Sequence, residues 1–255
     1  MYQVEEIQKG VWWLEGEKHS SFYVVAGSKK ALVIDTGMDE EEILPRIRQL
    51  TDLPLELVIT HAHWDHMLHV DEFPYYLISE EEKAFLQDRQ DTALPKWIQA
   101  GEQIDLGNCI LQVVSLAGHT PGSLLFVDVD RKLIFTGDAV GSGCGVWMQV
   151  PESLSIAQFQ KSLIRAEKTL EELEVNDEEW VFLGGHKLQE FTSTVAEYNP
   201  ISMALIRDMI VLCGQILDGS AEERVSQSKK FTEETVYLAV YGRAEIEYLK
   251  SRIYS

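Results

Sequence analysis

Leu55-Glu56-Leu57-Val58-Ile59-Thr60-His61-Ala62-His63-Trp64-Asp65-His66-Met67-Leu68-His69 is the stretch from which the rest of the chain can be read. Leu55 to Thr60 has the apolar character of a buried strand and stops directly at His61. The next nine residues, His61 to His69, hold four histidines and an aspartate, in a chain that has seven histidines altogether. Imidazoles and carboxylates concentrated at a strand's end are what a metal needs from a scaffold. In an extended segment residues i and i+2 point the same way, so His61 and His63 can converge on one ion. Asp65 and His66 follow as the chain starts to coil and can face a second ion. The spacing is unlike His-Glu-x-x-His, where two ligands stand four apart on one helix.

Outward from this cluster, more donors stand at the ends of later strands. His119 lies in Ala117-Gly118-His119-Thr120-Pro121-Gly122-Ser123, after a strand that ends at Leu116. Its glycines let backbone approach closely, and the proline restricts the turn. Asp138 closes Phe135-Thr136-Gly137-Asp138, and His186 follows Gly184-Gly185 after the short run Val181 to Leu183. A mononuclear site uses three or four protein ligands. The seven candidates His61, His63, Asp65, His66, His119, Asp138 and His186 therefore point to two ions.

The motifs His-Ala-His-Trp-Asp-His, Gly-His-Thr-Pro-Gly-Ser, Thr-Gly-Asp and Gly-Gly-His, in that order, resemble those of the metallo-β-lactamase superfamily over residues 10 to 190 or so. The resemblance implies an α/β (α+β) fold, the four-layer αββα sandwich, with two metal ions at the upper edge of its inner sheets. It implies that His61, His63 and His119 hold the first ion, that Asp65, His66 and His186 hold the second, and that Asp138 bridges both. Asp35, in Asp35-Thr36-Gly37, matches a family aspartate that supports the ligands or the fold without touching metal. Redox diiron members carry glutamate where His63 stands, and zinc β-lactamases carry cysteine where Asp138 stands. The motif set is most similar to the hydroxyacylglutathione hydrolase and lactonase branch, although that branch follows its Asp-His with Ile-Gly-Gly and this chain has Met67-Leu68-His69.

Two divalent ions, zinc first with iron or manganese as further choices, lower the pKa of a shared water toward neutrality. The expected function is a metal-dependent hydrolase. It uses a water or hydroxide bridged between the ions to cleave a small-molecule carboxylic ester, thioester, lactone or amide. Asp65 is the expected catalytic residue, a ligand whose second oxygen can shuttle a proton. A phosphodiesterase or nuclease of the same superfamily, an oxidative member, and a metal-binding protein without turnover are the alternatives. The expected substrate pocket takes His69, His19 in the turn Gly16 to Ser20, and the bend Gly141 to Met148 with Cys144 and Trp147. One or two of Tyr237, Tyr241, Arg243 and Tyr248 are expected at its mouth.

Lysine plus arginine number 22 against 42 aspartates and glutamates, a formal charge of −20. A surface this negative, without a basic patch, disfavours nucleic acid and anionic lipid, and counts against the nuclease alternative. No apolar run approaches the roughly 18 to 20 residues of a membrane span, and the N-terminal residues lack a secretory pattern. Cys109, Cys144 and Cys213 are odd in number and widely spaced, as in a protein with reduced thiols, so a cytoplasmic location is expected. Residues 1–255 read as one catalytic domain with 200–255 as a C-terminal cap or wall; oligomeric state is left open.

Local patterns fill in the elements. Val11 to Gly16 and Ser21 to Gly27 predict a hairpin, and Ala31 to Ile34 a buried strand. Asp39 to Glu42 read as an acidic helix start, and Ser79 with Glu82 as the capping box of a helix after the strand Tyr75 to Ile78. Strands return between Gly101 and Asp138. Apolar residues three and four apart predict helices over Ser155 to Leu173 and from Ile201 to Gly219. Residues 220 to 232 read as loop, and Glu234 to Ile253 as either strand or helix.

Overall fold

A computed structural model describes residues 2–142, 145–186, 201–228 and 230–254. Among them, β1 (Gln3–Gln8), β2 (Val11–Glu15), β3 (Ser21–Ala26), β4 (Ala31–Ile34), β5 (Leu55–Val58), β6 (Tyr75–Ile78) and β7 (Leu94–Trp97) form a seven-stranded sheet in chain order. β1 to β4 pair antiparallel, and β4 to β7 pair parallel. The second sheet contains β8 (Gln103–Asp105), β9 (Ile110–Ser115), β10 (Leu124–Asp128) and β11 (Leu133–Gly137). After β12 (Val146–Met148), β13 (Val181–Gly184) joins it beside β11, in the order β13-β11-β10-β9-β8.

Three apolar layers show how the sheets stack. Trp13, Tyr23, Leu32, Ile34 and Val58 of the first sheet meet Leu111, Val113, Phe126, Phe135 and Leu183 of the second. The first sheet's other face, with Leu14, Phe22, Val33 and Leu57, is covered by Ile43, Ile47 and the segment Met67 to Phe73. The second sheet's outer face, with Val114, Leu125 and Ile134, is covered by the helix α2 (Ile156–Glu172), against which α3 (Met203–Asp218) packs. Helix α1 is short, Leu44–Leu50, so the layers run α, β, β, α. Burial on both sides explains why β4, β10 and β11 carry near-continuous apolar runs instead of alternating.

Some elements differ from the sequence expectations. Asp39 to Glu42 stay outside α1, because the Glu72 carboxylate accepts from the backbone nitrogens of Ile43 (3.0 Å) and Leu44 (2.8 Å) and caps the helix from a distance. After Ser79 the chain makes a 3-10 helix, Glu80–Leu86, and Glu82 turns inward, so the expected capping box does not form. The box closes instead at α2, between Ser155 and Gln158. Glu234 to Ile253 resolve as strands. β15 (Val236–Tyr241) and β16 (Ala244–Leu249) form a hairpin through Gly242 at φ +56°. With β12 and β14 (Glu223–Val225) they make a third sheet, ordered β12-β16-β15-β14, so 220–232 is not all loop. This sheet packs on α3 through Ile246 and Tyr248.

Candidate metal centre

Strand direction brings the seven donors together. β4 and β5 run parallel, with Ile34 beside Val58, so Asp35 and the Thr60-His61 step leave the first sheet side by side. In the second sheet β9 and β11 run the same way, since each is antiparallel to β10, and β13 is parallel to β11. The loops after β9, β11 and β13 carry His119, Asp138 and His186, so all three emerge at one edge. Open α/β sheets place ligands at the carboxyl ends of strands for this reason. The two edges are stitched together by a hydrogen bond from the Leu124 nitrogen to the Thr60 carbonyl (3.0 Å).

The donors fall into two groups: His61, His63 and His119, and Asp65, His66, Asp138 and His186, with the ligand atoms in each group within 4.8 Å of one another. His63 Nδ1 lies 3.1 Å from His61 Nε2 and 3.0 Å from His119 Nε2. Nitrogens bound tetrahedrally to zinc at about 2.0–2.1 Å would stand roughly 3.3 Å apart. Asp138 Oδ2 is 3.1 Å from His186 Nε2, 3.6 Å from His66 Nε2 and 4.0 Å from His119 Nε2, which sets it between the groups. Asp65 Oδ2 lies 3.5 Å from His186 Nε2 and 3.7 Å from His66 Nε2.

Each imidazole is held by its other nitrogen. Thr60 Oγ1 faces His61 Nδ1 at 3.0 Å, and Asp35 Oδ2 faces His66 Nδ1 at 2.9 Å. The Trp147 carbonyl accepts from His119 Nδ1 at 3.0 Å, and the His19 carbonyl accepts from His186 Nδ1. The Glu152 carboxylate stands 3.7 Å from His63 Nε2. Such partners orient imidazoles and raise their basicity toward a metal. His66 Nε2, aimed into the cluster, is buried with no hydrogen-bond partner, a costly arrangement for a polar atom. The orphaned nitrogen and the mixed nitrogen and carboxylate donor set fit divalent metal ions.

Charge separates the groups. Burial, together with its histidine neighbours, holds the His61 pKa well below the usual imidazole range, and burial brings His119 down to about 4. Burial also opposes the charged forms of His66 and His186. There the carboxylates prevail: Asp65, Asp138 and Asp35 keep His66 well above its ordinary value, and Asp138 lifts His186 to about 9. Asp138 itself sits far below the carboxylate range, because the adjacent imidazoles outweigh its burial.

Comparison with known proteins agrees with this geometry. The sequence pattern described as the metallo-beta-lactamase superfamily matches residues 16–186. The chain belongs to the metallo-β-lactamase superfamily. Its fold matches a solved metallo-β-lactamase from Pontibacter korlensis with a TM-score of 0.66 at 17% identity, over 84% of this chain and 99% of that one. Among curated relatives, hydroxyacylglutathione hydrolase GloC of Haemophilus influenzae is 32% identical over 135 residues, 45% of this chain and 63% of the relative. Acyl-coenzyme A thioesterase MBLAC2 of Gallus gallus is 27% identical over 177 residues, covering 52% and 64%. The chain thus spans a little under two thirds of the length of these two relatives.

In this superfamily member five of the seven donors, His63, Asp65, His119, Asp138 and His186, line a cavity of about 550 Å3. Trp147 lines it, and so does His19, whose ring is held by Glu15 at 3.2 Å. His69 does not. Its nitrogens are taken by Glu72 (2.8 Å) and the Asp39 carbonyl (2.6 Å), which turns the ring toward the start of α1, so its expected place in the pocket is corrected. Cys144 lies outside the described residues. Tyr237, Tyr241, Arg243 and Tyr248 are not among the described lining residues; the C-terminal region contributes Phe231 instead. Lys18, Met38, Val150 and Glu152 also line the cavity without a motif to announce them. Glu82, expected in a capping box, supports the site instead. Buried, with burial pushing its pKa up, it accepts from the nitrogens of Ala62 (3.0 Å) and Gly122 (2.6 Å) and so joins the loops of His61 and His119.

Proposed function

We propose that this protein is a two-metal hydrolase of small acyl compounds, with thioesters as the substrate class and zinc as the metal. The observation that carries the reading is the pairing of seven donors with an otherwise largely apolar cavity, in which Lys18 is the only lysine or arginine among the described lining residues. A polyanion would need a denser set of cations. The names of the relatives, a hydroxyacylglutathione hydrolase and an acyl-coenzyme A thioesterase, support thioesters over other acyl groups. Cys109 and Cys213 are buried free thiols, and among the described residues no helix is long and apolar enough to cross a membrane. The free thiols support a cytoplasmic location.

His61, His63 and His119 would hold one ion, Asp65, His66 and His186 the other, with Asp138 shared. When bound, such ions lower the pKa of water and polarise an acyl oxygen. The chain's own residues supply the rest. Asp65 lines the cavity with its carboxylate one-fifth exposed, so it can take the proton of the attacking water and deliver it to the departing sulfur. Ser142 Oγ donates to Asp138 Oδ1 (3.1 Å) and accepts from the Gly185 nitrogen (2.8 Å), which fixes the shared carboxylate.

The test is a turnover panel of thioesters, oxygen esters, lactones and phosphodiesters on protein loaded with two equivalents of zinc. Thioesters are expected to give the highest kcat/KM. Fastest turnover of a phosphodiester, or turnover of none of them, would overturn the proposal.

A further inference from the structure

The superfamily match ends at residue 186, yet one wall of the cavity comes from beyond it. Phe231 faces the cavity with its ring 5.4 Å from that of Trp147, at 49° between planes. Both aromatic residues are tied to strand β16. Trp147, on β12, sits opposite Glu247 in the parallel pairing of the third sheet. Glu247 is buried, and its carboxylate accepts from Gln149 Nε2 (2.7 Å), Ser226 Oγ (2.9 Å) and Ser228 Oγ. Gln149 Oε1 in turn accepts from the Phe231 nitrogen (3.3 Å). The Trp147 carbonyl meanwhile holds His119. A continuous set of contacts therefore runs from His119 to an aromatic wall whose second half lies outside the span matched by the superfamily.

The composition of the cavity gives this wall a direction. Trp147, Val150, Pro151 and Phe231 are apolar lining residues beside Glu152, and Trp147 joins the His119 side of the cluster through its backbone carbonyl. Lys18 and His19 line the His186 side, where the His19 carbonyl meets His186. We infer that Trp147 and Phe231 form the acyl subsite, that it takes an apolar acyl group, and that Glu247 is a positioning residue that sets Phe231 through Gln149. The inference rests on the thioesterase reading. Polar parts of the leaving thiol face the Lys18 side, away from the aromatic wall.

The experiment uses the zinc-loaded full chain. Acyl length is varied from acetyl to octanoyl on one small thiol, and the thiol is then varied on one acyl group. In the parent protein kcat/KM should rise roughly 3- to 4-fold per methylene, the size of a buried methylene's transfer energy. Phe231→Ala should flatten that rise and cost at least about tenfold on the octanoyl thioester, mainly in KM, while Phe231→Leu restores most of it. Glu247→Ala should give the same length-dependent rise in KM, and Glu247→Gln, which keeps an acceptor oxygen, should recover it. A Phe231→Ala loss of equal size at every acyl length, or discrimination that follows the thiol and not the acyl chain, overturns the subsite and leaves the thioesterase reading standing. Calorimetric titration with octanoate and acetate separates the two ideas in the other direction. Octanoate binding that is tighter than acetate and depends on Phe231 supports the subsite even where no thioester turns over, and equal affinity for both acids overturns it.

Discussion

Two halves of one metal cluster, a few ångströms apart, are built on opposite electrostatic plans. His61, His63 and His119 face one another, and burial with mutual repulsion keeps His61 and His119 neutral. His66 and His186 face Asp65, Asp138 and, behind the cluster, Asp35, and these carboxylates favour a proton on each ring. The same residue type thus takes opposite charge states because of what its ring nitrogens meet. In the metal-free protein His61 and His119 present free lone pairs at neutral pH. In the carboxylate quartet, binding an ion means displacing protons.

Asp65→Asn tests the functional side of this contrast and carries the largest expected effect. The amide keeps a coordinating oxygen but accepts no proton, so kcat should fall by about 10²–10⁴-fold at equal metal occupancy. Single-turnover assays with metal content measured on the same sample decide it. A variant that keeps half the parent's kcat reduces Asp65 to a ligand.

Asp35→Asn probes the support behind the quartet. Asparagine tolerates the left-handed backbone found here, φ +62°, but loses the charge that faces His66. Metal affinity of the quartet should drop about 10–100-fold with the trio much less affected. A two-site zinc titration against a competing chelator measures both. Equal weakening of the two sites would mean that Thr60, which bonds to Asp35 (2.8 Å) and faces His61, couples them.

The smallest effect concerns pH. With His186 raised to about 9, each unit of rising pH from 7 toward 9 should tighten the quartet by up to about tenfold per proton displaced. With His61 held low and His119 at about 4, neither ring has a proton to lose there, so the trio should vary less over that range. In the metal-free fold, stability gained from protonated His186 is fully present below the unfolded value near 6.5 and lost as pH rises through about 9. Equilibrium dialysis at pH 7 and 8 reads the first effect. Parallel pH slopes for the two sites would dissolve the distinction.

Much of this cluster is legible in the chain itself. The spacing of His61, His63, Asp65 and His66 rests on local geometry, and His119, Asp138 and His186 each stand just past an apolar run that can only be a strand. His69 shows the limit of that logic. It shares the run of His61 to His66, but a 3-10 turn at Val70–Glu72 and the need to cap α1 draw it to the far side. Glu82 shows another: its position invites a capping box, while its real partners, Ala62 and Gly122, lie 20 and 40 residues away.

The amino-acid sequence by itself determined the candidate donors and the apolar strands that end in them, because these depend on residue type and short-range periodicity. The charge of each imidazole, the partner behind each ring and the wall of Trp147 and Phe231 were decided only by the tertiary structure. These depend on groups brought together from distant segments, with 84 positions separating the two wall residues, and contacts of that kind leave no periodic trace in the chain.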